Sequence, residues 1–160
     1  MKPQAQTTHA VHRVFSVPAA SFPSKKLRQK KLSGAFNFMK LTKIGSKEDY
    51  LEVTVAGQVS FSEATVVLTK VRDVATEKGF DKVLVDCLSV SGELSSFERY
   101  ELGQILAEHW QKGLSGTPKI AIVGRPPTIN GFGALVASNR GFLAKTFSEL
   151  PKALDWLNRK

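Results

Sequence analysis

The hydrophobic period of this chain changes at Ser60, and that change limits the folds open to it more than any other feature. Before it, YLEVTVAGQV (50–59) alternates, with Leu51, Val53 and Val55 on one face and Glu52 and Thr54 on the other. Such alternation marks a strand with one buried and one wetted face. FNFMKLTKI (36–44) alternates as well, and IGSKED supplies turn residues between the two, so the pair predicts an antiparallel hairpin. After Ser60, the residues Ala64, Val67, Leu68, Val71, Val74 and Ala75 recur at helical spacing up to Gly79. Ser60 and Glu63 have the S-x-x-E spacing of a capping box, which satisfies backbone donors left free at a helix start.

Element types then alternate. DKVLVDCLSV (81–90) and KIAIVG (119–124) are short runs of β-forming apolar residues, as strands covered on both faces require. Between them a helix is expected from Ser95 to about Lys112, with an apolar stripe of Leu102, Ile105, Leu106, Trp110 and Tyr100. GFGALVASNRG (131–141) reads as a helix with Gly141 at its C-cap, AKTF (144–147) as a last strand. A closing helix from Ser148 presents Leu150, Ala153, Leu154 and Leu157, with Pro151 tolerated in its first turn. The expected fold class is therefore α/β: a single-layer mixed, mostly parallel sheet with an N-terminal antiparallel hairpin, right-handed crossovers and flanking helices. At 160 residues the chain suits one such domain, and no internal repeat is visible.

The formal net charge of +9 does not belong to that domain. Residues 1–38 carry seven Lys and Arg and no acid, whereas residues 39–160 carry 16 basic and 14 acidic side chains. A nearly balanced domain gives no support to a specific nucleic-acid partner. The leader, 1–38, is rich in Ser, Thr, Gln, Pro and Ala without periodicity, and is expected to be disordered. It resembles an organellar transit peptide in lacking acids, and its KKLRQKK (25–31) could hold an anionic surface. Met39, where the regular pattern begins, is also a plausible start of the functional chain. No segment has the ~18 apolar residues of a membrane span. Cys87 is the single cysteine and falls in a strand, so neither a disulfide within the chain nor a thiolate metal cluster can form. A cytoplasmic location is the simplest expectation.

In a parallel sheet the loops at the carboxyl ends of the strands form the natural crevice. Two such loops, SVSGELSS (89–96) and GRPPTINGFG (124–133), should converge there. They bring Glu93, Ser95, Ser96, Arg125, Asn130 and Gly131 into one neighbourhood, with Phe97 just inside the helix. Ser95 and Glu98 repeat the capping-box spacing, which accounts for one serine as a cap worth about 1 kcal/mol. A phosphoryl group on either would meet free backbone N–H groups at the helix start, so Ser95 and Ser96 are both candidate phosphoacceptors. Arg140, in SNRG, sits at the far end of its helix, a remote candidate for a ligand or partner contact.

Catalysis finds little footing. His109 is 14 residues beyond Ser95 on the same helix, a separation of ~21 Å that prevents it from activating the hydroxyl. His9 and His12 lie in the leader. Asp86 has no paired acid at readable spacing, and reads as a loop-orienting carboxylate rather than a general base. The domain has no histidine pair, cysteine pair or calcium-loop pattern. GFGALV lacks the third glycine of a dinucleotide fingerprint, Val136 standing in its place, and no Walker lysine follows. No catalytic residue, metal or cofactor is expected.

The order of elements, with VLVDCLSVSGELSSFERYELGQIL and KIAIVG, resembles the SpoIIAA-like or STAS superfamily. GFGALVASNRG followed by KTFSELPKALDWL is similar to the NRG segment and closing A-L-x-W-L helix of bacterial STAS/SEC14-type domains. The resemblance covers residues 39–160. It implies a non-enzymatic regulatory module with a protein partner, modulated by phosphorylation of a serine at a helix start. In the family that serine lies in Asp-Ser-Ser/Thr-Gly; here Ser95 and Ser96 match, while Leu94 and Phe97 occupy the aspartate and glycine positions. The SEC14 side of the likeness implies instead a carrier or sensor of a small apolar or anionic ligand, or a lipid, in a shallow site. Homodimerisation is also compatible with either role.

Overall fold

The computed structural model describes residues 37–112 and 118–160, all within one compact unit, Gly34–Lys160. The leader read from the sequence, KKLRQKK included, lies outside the described residues except for its last two. Those two are already engaged, since Phe38 bridges Gln58 and the Asn37 carbonyl accepts the Gln58 N–H at 2.6 Å.

The elements run β1 (Lys40–Ser46), β2 (Leu51–Gln58), α1 (Phe61–Lys78), β3 (Lys82–Ser91), α2 (Ser96–Trp110), β4 (Lys119–Val123), α3 (Phe132–Ser138), β5 (Leu143–Phe147) and α4 (Leu150–Asn158). They build a five-stranded sheet in the order β1-β2-β3-β4-β5. β1 and β2 are antiparallel, and every later neighbour pairs parallel. The α/β class, the hairpin and the mostly parallel sheet are thus as the pattern implied.

Side-chain alternation on the sheet sorts the helices into two unequal layers. Val83, Val85 and Cys87 of β3 turn to one face, where they join Leu51, Val53, Val55 and Ile120 under residues of α1, α2 and α3. Leu84, Ala121 and Val123 turn to the other and pack on Ala153 and Leu157 of α4. Strands buried on both faces need apolar residues in succession, which is why β3 and β4 read as continuous runs.

The helix ends follow local chemistry. Ser60 Oγ accepts the Glu63 N–H at the start of α1, and Gly79 closes that helix at φ 72°. Positive φ costs glycine nothing, so the chain reverses there without strain. α3 is shorter than the sequence suggests: it ends at Ser138, with Asn139 rather than Gly141 as its cap.

α2 shows the largest departure. Its buried residues are Arg99, Gly103, Leu106, Ala107 and Trp110, so the helix is rotated from the stripe drawn through its largest apolar side chains. Tyr100 is exposed, and Leu102 and Ile105 are only half-buried. The cause is the crossing with α3. A Cβ on Gly103 would stand 2.5 Å from the Gly133 carbonyl and 2.7 Å from Val136 Cβ. Contact this close admits only hydrogen at that position, and it sets which face of α2 turns inward.

Candidate functional site

The two loops singled out by sequence do meet, and Arg99, a residue outside both loops, helps to join them. Arg99 is the only buried charged side chain among the described residues. Its Nη2 donates to the Pro127 carbonyl at 2.7 Å and lies 3.4 Å from Glu93 Oε1. One guanidinium therefore ties loop 124–133 to loop 89–96. A second tie runs from Thr128 Oγ1 to the Gly92 carbonyl at 2.7 Å. The short bonds, Arg99 to the Pro127 carbonyl and Thr128 to the Gly92 carbonyl, hold most of this junction, and the exposed Glu93 pair at 3.4 Å adds a weaker tie, so the strand tips carry one joined rim rather than two independent turns. A signal for Arg99 was present: 99, 103, 106 and 110 follow the 4-3-4 spacing of one helix face, with a glycine in it.

At that rim, the two serines have different fates. Ser95 is the N-cap of α2: its Oγ accepts the Glu98 N–H at 3.3 Å and donates to Glu98 Oε2 at 2.7 Å. The same carboxylate accepts the Ser95 backbone N–H at 2.7 Å, completing the capping box. These bonds, first the hydroxyl and then the backbone N–H, hold the Glu98 carboxyl below its ordinary value, and the Arg99 charge adds to the effect. Ser96, the first helical residue, is exposed, and among the described residues its hydroxyl makes no hydrogen bond. Phe97 follows with 68% of its surface open.

The other sequence candidates divide. Asn130 Oδ1 accepts the Phe132 N–H at 3.1 Å and so braces the entry to α3. Gly131 caps that helix at φ 84°, and a Cβ there would stand 2.8 Å from Thr146 Oγ1. Glycine is thus required twice over, by conformation and by space. Gly133, the second glycine of G-x-G, faces the Arg99 carbonyl, which a Cβ would approach to 3.0 Å. The motif serves helix packing. Arg125 is exposed and contributes only its carbonyl, to Ile129 N–H at 2.9 Å, so it is not drawn into the rim. Arg140 departs from its expected remoteness. It donates to Tyr100 Oη at 2.9 Å and lies 5.2 Å from that ring's centroid, one turn of α2 past Ser96.

Two further groups are settled by their partners. Asp86 Oδ1 accepts the Leu88 N–H at 2.9 Å, beside the irregularity where β2–β3 pairing shifts register between Thr54 and Ala56. Its carboxylate shapes the strand, as a loop-orienting role implied, although β3 continues past it to Ser91. His109 is exposed, its Nδ1 3.3 Å from the Ile105 carbonyl.

Beneath the rim lies a cavity of about 120 Å³ between the sheet and the three-helix layer. Aliphatic residues from the sheet, α1 and α2 line much of it, and Leu94, Ile129 and Asn130 border it from the two loops. Arg99 is the one charged residue in the lining. Cys87 also borders it; burial, with the Asp86 charge adding to it, pushes the thiol up to about 12. The thiol is therefore a small apolar wall element at neutral pH. Among the described residues no group of three or more His, Cys, Asp or Glu could hold a metal ion, and no helix is long and apolar enough to cross a membrane.

No family model matches the chain, and no curated protein matches it. Solved structures do. An anti-sigma factor antagonist from Mycobacterium paratuberculosis superposes with a TM-score of 0.54 at 17% identity, over 76% of this chain and 95% of that one. An uncharacterized protein of the DUF3478 family from Shewanella loihica PV-4, with a SpoIIAA-like fold, gives 0.45 at 20% identity, over 76% and 94%. At these identities the likeness concerns the fold alone: the chain shares the α/β arrangement of the anti-sigma factor antagonist.

Proposed function

We propose that this chain is a non-enzymatic regulatory module that binds a protein partner through the face where α2 and α3 begin, beside the joined rim. The exposed apolar surface of those helices carries the reading. Of the nine large hydrophobic residues exposed among the described ones, Phe97, Tyr100, Phe132 and Leu135 lie on these two helices. Aromatic and aliphatic side chains left open on two crossing helices are the usual anchors of a protein interface. The fold shared with the anti-sigma factor antagonist supports a regulatory role, and a cytoplasmic location belongs to the same proposal. The test is capture of partners by the full chain and by Phe97→Glu, with Val66→Glu on α1, where Val66 is 64% exposed, as control. A captured protein lost only with Phe97→Glu supports the reading; identical capture by all three rejects it.

Ser96 is the phosphoacceptor in this proposal, because the Ser95 hydroxyl is spent on Glu98 while that of Ser96 is free to react. A phosphate there would place a charge beside Phe97, within the apolar surface a partner would cover. Ser96→Asp should release the partner while leaving the fold intact; undiminished binding by that variant removes the switch from the proposal.

A second reading, a carrier or sensor of a small ligand, is favoured by the apolar cavity under the rim. Its size suits a few carbon atoms rather than a whole phospholipid. A small molecule retained in native mass spectra of freshly purified protein supports it, and a clean apo mass counts against it.

A further inference from the structure

We infer that the cavity under the rim receives a compact neutral hydrocarbon, a molecule with no polar head group. This rests on the ligand-binding reading above and adds to it the chemical class of the ligand.

Protein interiors seldom keep a void larger than a water molecule, yet about 120 Å³ stands open here between the sheet and the helix layer. Ala64, Val67, Val85, Cys87, Leu94 and Leu106 on its wall are all buried. Wall atoms that face a void lack dispersion partners on that side, and a hydrocarbon filling the space supplies them. The cavity is partly open to solvent, which gives a ligand its way in. An engineered apolar cavity of ~150 Å³ stays dry and takes up benzene. The space here is somewhat smaller, which sets the ligand at roughly four to six carbons.

The polar atoms that border the space exclude a head group. Thr128 Oγ1 donates to the Gly92 carbonyl, Asn130 Oδ1 accepts the Phe132 N–H, and Arg99 Nη2 donates to the Pro127 carbonyl. Each is committed to the rim or to the start of α3. Among the described residues, Trp110 Nε1 is the only buried side-chain polar atom without a hydrogen bond, and Trp110 does not line the cavity. The lining therefore holds no buried donor or acceptor in want of a partner. A hydroxyl carried inside would lose its water without finding a replacement, and a carboxylate would lose far more. A hydrocarbon gives up nothing of that kind, so the wall selects for the lack of polar atoms.

The test is a methyl-resolved NMR titration of the full chain with benzene, phenol and benzoate at neutral pH. Benzene should bind saturably, its ring current moving the methyl signals of Val67, Leu94 and Leu106 on the wall and leaving those of the exposed Val66 in place. Phenol should bind about tenfold more weakly than benzene, and benzoate should not saturate the site. Ala64→Leu, which fills the cavity from α1, should abolish benzene binding. Leu102→Ala, at a half-buried position of the same wall, enlarges the space and should admit naphthalene, which the wild type excludes; it decides the matter of size where Ala64→Leu does not fold. Phenol or benzoate binding as tightly as benzene overturns the neutral class and leaves the ligand-binding reading standing. Binding of none of the three overturns both. Benzene shifts confined to residues outside the lining, benzene binding that survives Ala64→Leu, or naphthalene treated alike by wild type and Leu102→Ala also overturns the inference.

Discussion

Replacing Gly103 by alanine should destabilise the fold, although the same change within most helices does the reverse. In a helix interior alanine is preferred to glycine by about 1 kcal/mol, so propensity alone makes Gly103→Ala stabilising. Packing opposes it. The new methyl would lie 2.5 Å from the Gly133 carbonyl oxygen and 2.7 Å and 2.8 Å from Val136 Cβ and Cγ1. The oxygen is backbone and Val136 is buried, so neither can swing aside, and α2 must separate from α3. Overpacking that forces backbone movement costs about 1–3 kcal/mol, and more where two helices must part. Because two helices must part, the upper part of that range, about 2–3 kcal/mol, applies, and net of propensity a loss of about 1–2 kcal/mol is expected. With a urea slope of about 1–3 kcal/mol/M, the midpoint should fall by about 0.3–2 M. Gln104→Ala, next along the same helix, should move it little. A Gly103→Ala midpoint equal to or above the wild-type value refutes the close crossing of α2 on α3.

Two further outcomes follow from the same geometry. Ser95→Ala removes the cap of α2 and should cost about 1 kcal/mol near neutral pH, read by urea unfolding. Because Glu98 titrates below its ordinary value of 4.5 in the folded protein, the capping contribution is complete above that value and is lost as pH falls through the lowered one. The gap between wild type and Ser95→Ala should therefore narrow on acidification; a gap that widens contradicts the bonding described. Cys87, with its thiol near 12, should be ~10⁻⁴ ionised at pH 8 and react with a disulfide reagent only at the rate of opening. Rapid stoichiometric reaction with the folded protein would contradict its burial.

The sheet was legible because strand periodicity is a local property. Leu51, Val53 and Val55 alternate on β2, and the unbroken run in β3 announces cover on both sides. Ser60 and Ser95 were legible as caps for the same reason, their partners being three residues away. Features set by contacts between distant segments were hidden. The rotation of α2 is fixed by Gly133 and Val136, some 30 residues later, and a stripe drawn from the largest apolar residues misses a face that includes a glycine and an arginine. The role of Arg99 is not legible in the sequence because its partner across the rim is the Pro127 carbonyl, which no side-chain pattern advertises. The contact of Arg140 with Tyr100 is hidden in the same way, since it depends on how closely two helices cross.

Hydrogen–deuterium exchange of the full chain, wild type against Arg99→Met, measures most directly whether the loops 89–96 and 124–133 act as one rim. Met fills much of the same space without the bonds to Pro127 and Glu93. Amides of both loops should lose protection together in the variant, while Leu150–Asn158 on the opposite face of the sheet keeps its rates. Protection unchanged in both loops, or lost in one of them alone, contradicts the coupling on which the proposed binding face depends.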